Sequence, residues 1–486
     1  MEASFLGIDI GSTAVKAILI DSETLSPLVR SSCVYPTKRE NGFVTQSPDD
    51  WVSAAACAVK DAVTQRPDTH IAAISVSAQG GSIFAADKHH CPISDAVSWM
   101  DSRASAEADE LYRRFGEKIY NSCGWRLSPL DDASKLLWLR KNAPSVFSDA
   151  EYFMTTADYI TGRLCGRYVY DPTSSAITRL YDIAKADYND ALMKYIEINR
   201  SQLSDIMPCG AAIGTTGCEA AEIFGIDTGI PVYCGAHDQY CAAIGSGVGK
   251  PGDLLIATGT AWVLFGVTKE PGFSPLHIAP GVFPSIGRST CDIAYGAIAS
   301  LSGIGASVDR FASAHGRTPA DSDAEASMLL ARRGHHGDDY FALTPCEDGR
   351  GFLPHRPGSG IEFRCTPGKS YAECYLALLE GAAFEVLSVA EKMKCGNNVS
   401  VIMSGGAARS GLWSRIVASA AATRGWSLEV TSERDAPAFG AALIAAASCG
   451  KDISDVCRTN RVVPDEKYAE YMGHAFDIWK EKILIK

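Results

Sequence analysis

The sequence predicts an α/β protein of two domains, 1–247 and 248–486. Three observations predict it. Short apolar runs with strand alternation recur along the chain, separated by stretches of helical spacing. A hydrophobic fraction of 46% over 486 residues supplies more than one core. A hairpin rich in Gly and hydroxyls opens both halves, "FLGIDIGSTAVKAILID" at 5–21 and "DLLIATGTAWVLFGV" at 253–267. That repetition is what duplication of one α/β unit would leave.

The first hairpin, 5–20, is followed by a strand-like piece near 28–35. A helix then opens at "SPDDWVSAAACAVKDAV", with Ser47 as N-cap, Pro48 at the first position and Asp49 and Asp50 at the positive end. "IAAISVSAQGG" at 71–81 is an apolar strand ending in glycines, and 103–165 reads as mainly helical. "GIPVYCGAHDQYCAAIGSGVGKPGD" gives strand, turn and small-residue helix before a Gly/Pro break at 247–252. After the second hairpin, "VSVIMSGGAARSGLWSRIVASAAATRGWSLEVTS" reads as strand, Gly-Gly turn, helix and strand, and "DAPAFGAALIAAASCG" as a packed helix.

A formal charge of -12 excludes a general nucleic-acid binder, which needs clustered Lys and Arg, and suits a protein that handles a small molecule. "MEASFLG" has no basic leader region, and no apolar run approaches the roughly 20 residues of a membrane span. A cytoplasmic chain with no membrane partner is expected. The 16 cysteines include no CxxC pair, which disfavours zinc and thioredoxin chemistry and fits reduced thiols.

Asp9 occupies a strand position where an apolar residue would cost less, beside Gly11, Ser12 and Thr13. The turn is not a Walker A loop, and G-x-G-x-x-G is absent. Its N–H groups and hydroxyls can donate to an anion, and Lys16 adds a positive charge unless strand alternation turns it away. Asp9 beside phosphate is repulsive unless a dication such as Mg²⁺ shares carboxylate, water and phosphate oxygens. The plain alternative is a partly exposed strand aspartate. Thr258, Gly259 and Thr260 form the matching turn, either an ordinary one or the second jaw of a polyphosphate clamp across a cleft. Asp9 has no counterpart there; Ala257 or Thr258 falls at its place.

In "GAHDQ", Asp238 follows a strand and starts a helix, as an N-cap or as a general base, with His237 as its rival. The glycines of "SGGAARSGLW" at 404–413 let a flat ring approach the backbone, or simply turn a strand into a helix near Arg409 and Ser410. Gln79, Asp101 and Arg103, in "SAQGG" and "SWMDSR", can hydrogen-bond a polyol; Asp101 and Arg103 can equally be a surface ion pair.

Taken in order, "GIDIGST", "SAQGG", "WMDSR", "SKLLWLRKNAPSVF", "GAHDQ", "ATGT" and "SGGAARSGLWSRI" with "APAFGAALIAA" resemble the FGGY carbohydrate kinases over about residues 5–447. The resemblance implies two ribonuclease-H-like, actin-like ATPase domains around a central cleft, sugar mainly on the first and ATP with Mg²⁺ mainly on the second. It implies that Asp9 is a metal-side carboxylate, with Asp238 sharing the metal and acting as catalytic base. Gly11, Ser12, Thr13 and Lys16 would lie by the γ-phosphate, with Thr258, Gly259 and Thr260 as the second phosphate motif and Gly405, Gly406 and Ala407 by adenosine. Gln79, Gly80, Gly81, Asp101, Arg103, Asp238 and Gln239 would hold the acceptor. A ketose, a pentulose such as xylulose first, is the implied substrate, with glycerol or another polyol as the alternative and a homodimer as the expected assembly.

Xylulokinases resemble the chain in "SKLLWLRKN" but usually carry Gln-Met-His where Gln79, Gly80 and Gly81 stand, and favour Asn at Gln239. Glycerol kinases share Gln after the base but have an Arg-Glu pair at Gly80 and Gly81. The two glycines are read as space for a larger or differently oriented substrate. The family's Gly-Glu-Arg stretch is altered in "GFLPHRPGSG" at 351–360. A reading from another class, an actin- or Hsp70-like ATPase that binds protein, predicts both hairpins but no cluster of sugar-binding side chains.

Overall fold

Strand alternation in the opening segment becomes an antiparallel hairpin, Glu2–Ile10 against Ala14–Asp21, with Asp9 directly opposite Lys16. The computed structural model describes residues 2–259, 262–274, 278–283, 294–301, 303–333, 368–393, 395–396 and 399–483. Thr260 and the 351–360 stretch lie outside the described residues.

Glu2–Ile10 also pairs in parallel with Thr69–Ala78, which pairs in parallel with Pro231–His237. Pro27–Val34 and Ala212–Thr215 close the six-stranded sheet as antiparallel edges. The second unit repeats this pattern strand by strand. Asp253–Thr258 pairs antiparallel with Trp262–Thr268, which continues to Ala294–Leu301. On its other side lie Ser400–Gly405 and Ser427–Thr431, both parallel, then Thr459–Val462, antiparallel. Register now decides between the two candidates for the counterpart of Asp9. Asp9 sits across from Ser77, and Ala257 sits across from Ser404, so Ala257 holds the equivalent place.

The chain forms two compact units. One is Met1–Gly245 with Ala279–Ala294 and Asp435–Val456; the other is Ser246–Ile278 with Tyr295–Arg434 and Cys457–Lys486. A single cut at 247 therefore meets a chain that twice returns to its first unit. The reason is close backbone packing. In the helix Ala436–Ser448, Gly440 lies so near the Asp238–Gly245 helix that a Cβ on it would stand 1.9 Å from the Cys241 carbonyl oxygen. A Cβ on Gly7 would meet the Ala438 oxygen at 2.0 Å. Small residues thus let this helix seat on the first sheet, under the strand that carries Asp9.

In the first unit, Leu6, Ile8, Val15 and Ile74 build a core with Trp51 and Val59 of the helix Pro48–Thr64. Ser47 precedes that helix, but its hydroxyl makes no capping bond; its carbonyl accepts the Asp50 N–H at 3.1 Å. A second sheet of short strands, Lys38–Glu40, Phe43–Gln46, Ala96–Val97, Ile83–Ala86 and Tyr152–Thr155, was not expected from the sequence. Its last strand interrupts the region read as helical, because four residues are too few to show a period. Among the described residues, no helix is long and apolar enough to cross a membrane.

Candidate active site

Asp9 is buried at 4% exposure, and its Oδ1 accepts a 2.7 Å hydrogen bond from Ser77 on the neighbouring parallel strand. Burial, then the nearby Asp238 charge, raise its pKa from 3.8 to about 7, against the pull of Ser77 and Lys16. Lys16, on the same face, pairs with Asp435 at 3.1 Å. The raised folded-state pKa stabilises the fold fully below about pH 4, and that contribution is lost as pH rises through about 7. Asp9→Asn removes the titration. The melting temperature of the ligand-free variant, relative to wild type, should rise by several degrees from pH 5 to pH 8 (roughly the span of the shift). A flat difference across that range would refute the assignment.

The turn after Asp9 is held from three sides. The Tyr35 hydroxyl donates to the Gly11 carbonyl, Gln46 Nε2 donates to the Ser12 carbonyl at 2.9 Å, and Trp99 Nε1 donates to Ser12 Oγ at 3.0 Å. Ser12 and Thr13 lie between the paired residues Ile10 and Val15, so their N–H groups fall outside the strand ladder. Gln46 also accepts from Gln79 Nε2 at 2.9 Å, which ties the turn to "SAQGG". Gln79 Oε1 is buried with no partner. Tyr35, Gln46, Ser77 and Trp99 escaped sequence reading because their roles depend on strand partners distant in sequence.

Pro231–His237 ends directly in the helix Asp238–Gly245, which places Asp238 at the switch. Burial raises its carboxyl to about 7, against hydrogen bonds from Gln239. Burial also pushes His237 down to about 4, so the imidazole is neutral. The Gln239 N–H reaches His237 Nδ1 at 3.4 Å, which assigns the ring proton to Nε2. Nε2 lies 3.1 Å from Asp238 Oδ1, yet off hydrogen-bond line, and that oxygen is buried with no hydrogen-bond partner. The His237 backbone is fixed by its N–H to Thr173 Oγ1 at 2.9 Å, and Thr173 N donates to Asp171 at 2.7 Å.

Gly80 and Gly81 do not open space. A Cβ on Gly80 would meet Ile177 Cδ1 at 2.8 Å and His237 Cδ2 at 3.1 Å. Gly81 has φ 73°, and a Cβ there would meet Trp99 at 3.1 Å. The room a larger residue would need is taken by Ile177 and Trp99, which corrects the expectation of a widened pocket. Asp101 is fully buried and saturated. Its oxygens accept from Arg103 Nε at 2.9 Å, Arg103 Nη2 at 2.6 Å and the Val44 N–H. Arg103 is sandwiched by Phe43 and Trp138, 4.0 and 5.0 Å from their ring centres. This pair is a buried brace rather than a surface ion pair.

Lys135, from "SKLLWLRKN", is fully buried and donates to the carbonyls of Gly81 and Leu130, both at 2.6 Å. Lys135→Met leaves both carbonyls without their charged donor, a loss of about 1–3 kcal/mol. The expected kinetic result is an acceptor KM raised about tenfold with the nucleotide KM unchanged, since Gly81 rather than the nucleotide turns loses its tether.

In the second unit the two predicted nucleotide motifs meet. The Thr258 hydroxyl donates to the Ser404 carbonyl at 2.6 Å and accepts the Ala407 N–H at 3.0 Å, while Gly406 N donates to the Thr258 carbonyl at 2.8 Å. Gly405 has φ 92° and lies against Thr258, where a Cβ would stand 2.3 Å from the Thr258 oxygen. Gly259, Gly405 and Gly406 are exposed. Ser410 caps the helix Gly411–Ala422 by accepting the Trp413 N–H at 3.2 Å. By register, "SAQGG" in the first unit and "SGGAA" in the second occupy the same place in the repeated fold, at the end of the strand beside the hairpin.

Residues 4–245 match the FGGY family of carbohydrate kinases, N-terminal domain, and residues 340–449 match its C-terminal domain. The xylulose kinase of Escherichia coli (strain K12) is 24% identical over 459 residues, covering 91% of this chain and 89% of that one. The gluconokinase of Bacillus subtilis (strain 168) is 25% identical over 273 residues, so this alignment spans only 56% of the chain and 53% of the relative. Among solved structures, xylulose kinase from Rhodospirillum rubrum superposes with a TM-score of 0.86 at 22% identity, covering 98% of each chain, which shows a shared fold.

Proposed function

Because the chain belongs to the FGGY family of carbohydrate kinases, we propose that it transfers the γ-phosphoryl group of ATP to a hydroxyl of a neutral ketose or polyol, a pentulose such as xylulose first. The observation that carries this reading is Asp238, a partly exposed carboxylate at a strand-to-helix switch whose buried Oδ1 has no hydrogen-bond partner and whose pKa is raised to about 7. A base titrating near working pH is matched to taking a hydroxyl proton as the oxygen attacks phosphorus. His237, neutral beside it, does not compete for that proton.

Gln79 and Gln239 are assigned to the acceptor, with Gly80 and Gly81 shaping the wall against Ile177 and Trp99. Thr258 and Gly405 to Ala407 are assigned to the nucleotide, and the Gly11 to Thr13 turn to the phosphoryl group. Asp101 and Arg103 support the acceptor side by holding the Trp99 segment to the Phe43–Gln46 strand. The donor set fits Mg²⁺: two carboxyls are near each other, the Asp238 charge raising the Asp9 pKa, and one buried Asp238 oxygen has no hydrogen-bond partner. Among the described residues no three His, Cys, Asp or Glu form a metal cage, so Asp9 and Asp238 would hold the ion together with oxygens from its ligand. When bound, Mg²⁺ neutralises charge on the transferring phosphoryl oxygens.

A neutral acceptor is favoured over a sugar acid because the nearby cations of the first unit are committed. Lys16 pairs with Asp435, Arg103 with Asp101, and Lys135 with two carbonyls. Arg179 donates to the Arg126 carbonyl at 2.8 Å and to the Ile177 carbonyl at 2.5 Å. Glycerol remains the second reading, on the strength of Gln239. An ADP-release screen against ketopentoses, ketohexoses, tetritols, glycerol and gluconate tests this. Turnover should be highest with a ketopentose, and a preference for gluconate would overturn the neutral-acceptor reading.

A further inference from the structure

The first unit holds a concavity that shares no lining residue with the acceptor loops. It is a cavity of about 910 Å³, within the roughly 300–1,000 Å³ of small-molecule sites. Its wall is built around His90, a non-glycine residue at φ 59°. The turn enforces that conformation. His90 N donates to the Asp87 carbonyl at 2.9 Å, and Asp87 Oδ1 accepts the N–H groups of His89 and Cys91 at 2.8 and 2.9 Å. The imidazole is thereby stacked between Tyr152 and Tyr168, with ring centres 4.3 and 3.8 Å away. Tyr168 fits because Gly162 has no side chain; a Cβ there would lie 2.1 Å from its ring. A left-handed histidine locked in an aromatic stack is costly to keep, and such strain collects at binding sites.

The charges on the wall are two arginines and one aspartate. Arg200 is neutralised, by Asp187 at 3.2 Å and Asp205 at 3.7 Å. Arg167 is exposed, donates one bond to the Ile213 carbonyl at 3.0 Å, and has no carboxylate partner among the described residues. An unpaired guanidinium in a concave wall is notable in a chain of formal charge -12. Beside it, Ser204 donates its proton to the buried Asp158 at 2.6 Å and keeps its lone pairs as acceptors, and the Tyr168 hydroxyl has no hydrogen-bond partner among the described residues. The wall therefore offers one anion-binding fork next to hydroxyl partners.

We propose that this cavity is a second ligand site, for the phosphate monoester of a small polyhydroxy compound, with Arg167 on the phosphate and Tyr168 and Ser204 on the hydroxyls. The test is calorimetric titration of the nucleotide-free full chain with glycerol 1-phosphate and, separately, inorganic phosphate. Glycerol 1-phosphate should bind, and Arg167→Ala should weaken it about tenfold or more, the loss of one charge-assisted contact. ATP affinity and basal turnover should be unchanged in that variant. Arg167→Gln, which keeps a donor for the Ile213 carbonyl, should show the same loss, separating charge from fold. Inorganic phosphate should compete at the same site but bind more weakly, which distinguishes a monoester site from a free-phosphate site. No binding to wild type, wild-type affinity in both Arg167 variants, or loss on Thr258→Ala with Arg167→Ala unaffected would overturn the proposal. The last result would place the phosphate at the nucleotide turn. None of these outcomes depends on the kinase reading.

Discussion

Asp238→Asn should lower kcat by about 10²–10⁴-fold while ATP affinity and the melting curve hold. The amide keeps the shape of the carboxyl but cannot take the proton of an attacking hydroxyl. Asp238 Oδ1 makes no hydrogen bond that the substitution would break, and His237 stays fixed by Thr173 and Gln239. The variant also removes a charge that raises the Asp9 pKa, so its ligand-free form should melt no lower than wild type above neutral pH. Near-normal turnover would remove Asp238 from the base role.

Gly440→Val should produce the largest loss of stability, at or beyond the upper end of the usual 1–3 kcal/mol for overpacking. The atom a Cβ would strike is the Cys241 backbone oxygen, 1.9 Å away, and no rotamer change relieves a clash with backbone. Helix Ala436–Ser448 must then lift from the Asp238–Gly245 helix and from the strand carrying Asp9. Stability and activity should fall together, measured as a lowered urea midpoint and lowered kcat. A valine variant with unchanged midpoint would mean that this helix is not seated as described.

Much of the architecture is legible in the chain because its signals are local. The two hairpins announce themselves by alternation around Gly-hydroxyl turns, and Asp9 by being a charge in an apolar strand. What stays hidden is set by partners far away in sequence. Ser77 looks like any strand serine until parallel register brings it opposite Asp9. The helix at 436–448 reads plainly as packed, but alanines and glycines carry no address, and its return to the first unit depends on clearances of an ångström or two. Gly80 and Gly81 mislead for the same reason: a missing side chain suggests space, and only packing reveals that Ile177 and Trp99 have filled it. For Asp101 and Arg103, adjacency on the chain suggested a pair, while burial, which decides its character, was invisible.

On the proposed function, the γ-phosphoryl group goes to a sugar hydroxyl rather than to water. Phosphorus-31 NMR of ATP, Mg²⁺ and D-xylulose with the purified chain reads this directly. The γ-phosphate signal should give way to a phosphate-monoester signal as ADP appears, with inorganic phosphate minor and little ADP formed without acceptor. Inorganic phosphate as the main product, released at the same rate with and without any of the screened acceptors, would contradict it.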